Sequence, residues 1–233
     1  MRNESFVSLL IFTTVFLLQQ TFVSSKKFKT KIQLIRNLTD YFKHPIIISR
    51  LTAIVFFFVI PVVIMRLLFN DALNRFGVSA KNFNQSLIWS AVAGTALIMM
   101  NIILGKRPEN LARYPQIREK NWDLRLLVLS ATAWIGYIFA YEYLFRGLLL
   151  FSCYRAWGFR NAVVLNVALY SMAHIGKSLV EVAGAVPLGF LLAILTLKTG
   201  TIWAAFFIHI TLALSNEWLA LHYNPEIKLQ LKV

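Results

Sequence analysis

Apolar residues along this chain gather into long runs broken by short polar or basic stretches. Seven runs stand out: residues 6–23, 47–69, 87–104, 126–154, 161–175, 179–197 and 202–221. Several approach or exceed the roughly 20 residues that cross a hydrocarbon core of ~30 Å. Lipid offers the backbone no hydrogen-bond partners, so such segments satisfy their own amides as helices. The pattern therefore predicts an all-α fold, a polytopic transmembrane helix bundle of about seven spans. Pro61 should kink the second span, because it lacks an amide hydrogen and crowds the preceding turn. As one helix the fourth run would measure roughly 43 Å, so it must tilt, break or project beyond the bilayer core. The first run reads as a true span rather than a signal peptide. Arg2 is balanced by Glu4 before it, and no clean small-x-small pattern follows it.

Composition agrees. Of 233 residues 58% are hydrophobic and only 15% charged, where a soluble domain has about a quarter charged. The net charge of +14 is concentrated between spans. Residues 26–50 carry Lys26, Lys27, Lys29, Lys31, Arg36, Lys43 and Arg50 against Asp40; residues 106–125 carry Lys106, Arg107, Arg113, Arg118, Lys120 and Arg125 against Glu109, Glu119 and Asp123. Alternating spans put both clusters on one side with the N-terminus opposite, as the positive-inside bias expects of cytoplasmic loops. Aromatic residues are not interleaved with these cations as on a nucleic-acid platform, so no nucleic acid is expected as partner. The expected surroundings are membrane lipid in a cell membrane. Cys153 is the single cysteine; it excludes an intrachain disulfide and reads as a small apolar filler. There is no internal repeat and no soluble second domain.

Ionisable side chains within spans are costly and mark function or a structural pair. Between Arg125 and Arg155 the only charges are Glu142 and Arg146, spaced i,i+4 with the acid first, the better orientation for a helical ion pair. His174 ends the fifth run, Glu181 begins the sixth, and His209 and Glu217 lie in the seventh. Lys177 and Glu181 share the i,i+4 spacing near a span end, where a structural pair is expected. A carboxylate and an imidazole can together deprotonate a water, and a second imidazole can donate to an oxyanion. The same Glu/His/His set could bind zinc, but no HExxH or HxxEH spacing supports it. No phosphate-binding glycine loop is present, and Gly136, Gly184, Gly189 and Gly200 suit close helix packing.

Three motifs, YEYLFRG at 141–147, YSMAH at 170–174 and HITLALSN at 209–216, resemble those of the CPBP intramembrane proteases, the family of CAAX prenyl proteases and bacteriocin-processing proteins. The likeness covers roughly residues 122–217, including the TGTIW entry to the last motif. It divides the chain into N-terminal helices and basic loops (1–121), a catalytic-core-like bundle (122–221) and a short tail (222–233). The resemblance implies a glutamate-dependent, metal-independent endopeptidase with no cofactor, acting on membrane-associated peptides. By that likeness Glu142 and His174 activate water, His209 serves the oxyanion, and Arg146, Tyr141 and Tyr170 support them.

Two positions depart from the family pattern. The first glutamate of its Glu-Glu pair is Tyr141 here, and the asparagine one turn after the last histidine is Ala213. Asn216 lies two turns after His209, roughly 10 Å along the axis, too far to take over. Losing one oxyanion donor costs ~10²–10³ in rate. Two readings follow: a protease using Glu142, or a non-catalytic member that binds a peptide, for instance in bacteriocin self-immunity. A transporter would want discontinuous helices in matched halves, and the sequence has none.

Overall fold

The computed structural model describes residues 2–25, 44–70 and 73–230. The cations at 26–43 fall outside those bounds. Among the described residues there are seven helices, six of them long and apolar enough to cross a membrane. They are α1 (Arg2–Ser24), α2 (Pro45–Phe69), α3 (Phe83–Leu104), the short α4 (Pro108–Leu111), α5 (Leu124–Met172), α6 (Leu179–Thr199) and α7 (Trp203–Tyr223). The protein is an all-α polytopic bundle.

In α2 the expected disturbance around Pro61 takes the form of a π-helical stretch at Val55–Val59, just ahead of the proline. Widening that turn accommodates the ring and the missing donor. The fourth predicted span and most of the fifth lie within α5, which breaks at Gly158 (φ 75°, ψ 178°). Asn166 donates from Nδ2 to the Phe145 carbonyl at 2.7 Å, although a straight helix would hold these residues ~30 Å apart. The chain therefore reverses at Gly158, a backbone conformation that favours glycine. The return limb, residues 159–172, reaches only ~20 Å. The expected span 161–175 is thus corrected: the helix ends at Met172, and His174 sits in the turn before α6.

Arg50, grouped above with a basic loop, is instead buried inside α2. The first run does pack as a helix against the rest. Glu4 of α1 receives both Arg75 and Arg155, Ser8 hydrogen-bonds Ser152 at 2.9 Å, and Phe12 sits edge-on to Phe145 at 4.9 Å. Cys153 is buried in α5. A feature the pattern of runs did not suggest is a parallel strand pair, β1 (Asn121–Asp123) with β2 (Lys228–Gln230), which brings the tail back beside the start of α5.

Among the glycines, a Cβ on Gly189 would lie 2.8 Å from Tyr170 Cδ1, and one on Gly136 would lie 2.7 Å from Ile54 Cδ1. Gly184 faces open space, and Gly200 ends α6 with φ 71°. Close packing is thus the role of the first two only.

Candidate active site

The stretch that carries Glu142 is where α5 leaves regular geometry. The α-helical part ends at Glu142 and Tyr143–Leu150 is π-helical, a widening that often accompanies functional sites. Gly147 permits it: a Cβ there would meet Phe76 O at 2.8 Å and the Tyr143 ring at 3.1 Å. The π stretch therefore lies directly on the 73–76 turn.

Glu142 and Arg146 are both completely buried, with Arg146 Nε 3.4 Å from Glu142 Oε2. From α7, His209 Nδ1 lies 2.5 Å from Glu142 Oε1. A carboxylate oxygen accepts, so Nδ1–H of a neutral His209 donates and its Nε2 lone pair faces away. His174 is fixed by the same logic. Its Nδ1 is 2.8 Å from the Tyr170 carbonyl, which can only accept, so its Nε2 is likewise left as an acceptor.

Tyr170 stands between these groups. Its ring lies 4.6 Å from His174 and 6.2 Å from His209, and Arg146 Cζ sits 4.2 Å over its face. Arg146 is thus held by a carboxylate and an aromatic face, a cation–π contact strengthened by exclusion of water. The structure brings Glu142, Arg146, Tyr170, His174 and His209 into one neighbourhood drawn from both limbs of α5, the 173–178 turn and α7. The accessible members are the imidazoles: the His209 side chain is 13% exposed and His174 8%, against zero for Glu142 and Arg146.

Tyr141 stacks on Phe145 at 4.4 Å and meets His209 and Tyr170 edge-on at 5.7 and 6.0 Å. It supplies a wall where a second carboxylate would otherwise stand. Ala213 borders an apolar cluster of Trp134, Ile138, Phe206 and Ile210. Asn216 is engaged elsewhere, accepting from Asn110 Nδ2 at 3.0 Å. Among the described residues no three His, Cys, Asp or Glu side chains converge as metal ligands.

Burial, reinforced by Lys177, pulls His174 from 6.5 down to about 3. The folded protein therefore keeps this imidazole neutral where the unfolded chain takes up a proton. Stability from this group is fully present above pH 6.5 and is lost as pH falls from there towards 3. The thermal midpoint in detergent should fall more steeply on acidification in wild type than in His174→Gln.

Lys177 and Glu181 form the expected pair at 4.0 Å, and Ser178 caps α6 by accepting from the Glu181 amide at 3.2 Å while donating to its carboxylate at 2.9 Å. This is a serine N-cap reinforced by the Glu181 carboxylate, which suits a structural role.

A second buried charge cluster escaped the sequence pattern. Arg50 Nη2 lies 3.7 Å from Glu217 Oε1, Nη1 donates to Ser130 O and Oγ at 3.2 and 3.1 Å, and the guanidinium sits 3.9 Å over Trp134. Part of its signal was present: Glu217 lies within a span and needs a cation, and the 47–69 run offers two, Arg50 and Arg66, between which the sequence does not choose. α5 and α7 run antiparallel, joined at Glu142–His209 and again at Ser130–Glu217, where Ser130 Oγ donates at 3.4 Å.

Residues 121–215 match the family described as type II CAAX prenyl endopeptidase Rce1-like. That stretch, somewhat under half of the chain, is similar to a CPBP-family core. The match spans Glu142, Arg146, His174 and His209 and leaves out α1, Arg50 and Glu217. No curated protein and no solved structure matches the chain. At family level the CPBP core is that of a CAAX-protease-like intramembrane protease, and with six span-capable helices the protein is a multi-pass membrane protein.

Proposed function

We propose that this protein hydrolyses peptide bonds of membrane-associated substrates with a Glu142–His209 dyad as its general base. The observation that carries the reading is the 2.5 Å contact between His209 Nδ1 and Glu142 Oε1, backed by Arg146 and buried within the bundle. The carboxylate fixes the tautomer and orientation of His209 and favours the imidazolium that forms on proton uptake, as the acid does in an Asp–His pair. Water held by the His209 and His174 Nε2 atoms loses one proton to His209 as its oxygen attacks the scissile carbonyl carbon. The proton on His209 Nε2 then passes to the leaving nitrogen as the carbon–nitrogen bond breaks. Between those steps the imidazolium donates to the oxyanion, so His209 also fulfils the donor role expected of it. Glu142 acts through His209 in this scheme, and Arg146 and Tyr170 hold the pair in place. The family's description points to a prenylated, C-terminally tethered peptide as the substrate class.

A specific observation favours a second reading. Tyr141 fills a carboxylate position with a stacked ring and Ala213 offers no side-chain donor, which suits a cavity that binds a peptide without cutting it. The test is cleavage of a prenylated membrane peptide by protein in vesicles, compared with His209→Gln and His174→Gln. The first reading expects a loss of ~10²–10⁴-fold in each variant. Binding without cleavage by wild type supports the second reading and sinks the first.

A further inference from the structure

The chain between α3 and α5 takes no part in the scheme above, yet it bridges both histidine-bearing elements. Its ends are pinned. At one end Asn110 Nδ2 donates to Gly105 O at 2.9 Å and to Asn216 Oδ1 at 3.0 Å. At the other, the Gln116 amide donates to Glu217 Oε2 and its side-chain oxygen accepts from Arg50 Nη2, each at 3.1 Å. Those anchors rest on a buried ion pair, and hydrogen bonds to charged groups are the stronger kind.

Besides its own backbone turn and the bonds of Arg118 to Leu111 O and Tyr114 O, the middle reaches the turn after His174 and the start of α6 by two side-chain bonds. Arg113 Nη1 donates to Gly176 O at 3.3 Å at an exposed position, two residues past His174. The Tyr114 hydroxyl donates to Glu181 Oε2 at 3.2 Å. The Tyr114 ring packs on the cluster of Trp134, Ile138, Phe206 and Ile210 that Ala213 borders one turn beyond His209. Burial, and then the Glu181 carboxylate, push the Tyr114 phenol above its ordinary value, so it keeps its proton and donates throughout the neutral range.

We propose that residues 110–116 form a strap fixed at Asn110 and Gln116, and that Tyr114 is its gate, controlling access to the space between His174 and His209. The exposed Arg113–Gly176 bond opens before the part-buried bonds at either end, and Tyr114 holds a single bond to a carboxylate where Gln116 holds one to Glu217 and one to Arg50. Opening therefore releases Arg113 from Gly176 and Tyr114 from Glu181 while Gln116 stays on Arg50 and Glu217. Tyr114 then acts as a specificity-determining residue, since the peptide must displace its ring from the apolar cluster. Its role in admitting substrate rests on the proteolytic reading; the movement itself does not.

The full chain in vesicles provides the test, with Ala213→Cys as a probe and native Cys153, 1% exposed, as an internal control. A water-soluble maleimide is applied with and without Tyr114→Ala, and labelling at the two cysteines is read by mass spectrometry. Position 213 should label about tenfold faster or more in Tyr114→Ala, because the opening step is removed. Tyr114→Phe, lacking only the bond to Glu181, should fall between, and Cys153 should stay unlabelled throughout. Equal rates at 213 with and without the ring overturn the gate, as does Cys153 becoming reactive in step with it, which is general loosening. Cleavage in the same vesicles keeps the two claims apart. Gated labelling without cleavage by any form supports the strap and removes the proteolytic reading.

Discussion

Glu142→Gln should reduce peptide cleavage by about 10⁴-fold, the size of effect seen when the acid of an Asp–His pair becomes an amide. The amide cannot balance an imidazolium, and it presents His209 with a donor as readily as an acceptor. The same change leaves Arg146 buried without its counter-charge, which costs about 3–5 kcal/mol when a buried pair is broken from one side. Loss of activity alone would therefore be ambiguous. The double replacement Glu142→Met with Arg146→Met separates the effects, since exchanging a buried pair for apolar residues of similar volume is often neutral or stabilising. The single variant should be unstable and inactive; the double should melt near wild type and remain inactive. A double variant that cleaves at the wild-type rate would remove the dyad from the mechanism.

Gly189→Ala should lower cleavage by about 10²-fold without touching any group that meets the substrate, because small misplacements of catalytic groups are this expensive. The new Cβ lands 2.8 Å from Tyr170 Cδ1, and Tyr170 is fully buried with Arg146 over its face and His174 on its carbonyl. The ring has to shift, moving the face on which Arg146 rests and pressing on the His174 ring 4.6 Å away. Overpacking costs about 1–3 kcal/mol, offset by roughly 0.5–1 kcal/mol of helix propensity, so the melting temperature should fall only modestly. Gly136→Ala is the control. Its Cβ meets the far end of the Ile54 side chain at 2.7 Å, a methyl that can rotate aside. That variant should keep wild-type activity and melt at or slightly above the wild-type temperature. Equal loss of cleavage in both variants would point to general disruption rather than to Tyr170.

The helices were legible because each lipid-facing segment advertises itself as an apolar run of the right length, and lipid leaves the backbone no alternative to helix. The reversal between the fourth and fifth runs was legible too, since the polar break at 155–160 separates them. What the runs could not convey was how tightly it is made: one residue, Gly158, turns the chain by its positive φ. Glu142 and Arg146 were visible as a pair because their partnership is local, four residues along one helix. The Glu142–His209 contact joins residues 67 apart, and Arg50 with Glu217 is more distant still; such pairings are set by how helices pack, which periodicity does not encode. The three motifs did anticipate that Glu142, His174 and His209 belong together. They did not show that His209 Nδ1 meets the Glu142 carboxylate, the contact on which the proposed base role of this histidine rests. Tyr141 reads from sequence as a lost acid, whereas in the fold it is a stacked wall beside His209.

The most direct measurement is cleavage of a prenylated membrane peptide in ¹⁸O-labelled water, with the product carboxylate weighed by mass spectrometry for wild type and Glu142→Met/Arg146→Met. The Glu142–His209 account predicts one ¹⁸O in the new C-terminus made by wild type and no product above background from the folded double variant. Cleavage that persists in the double variant, or a wild type that cuts nothing, would contradict it.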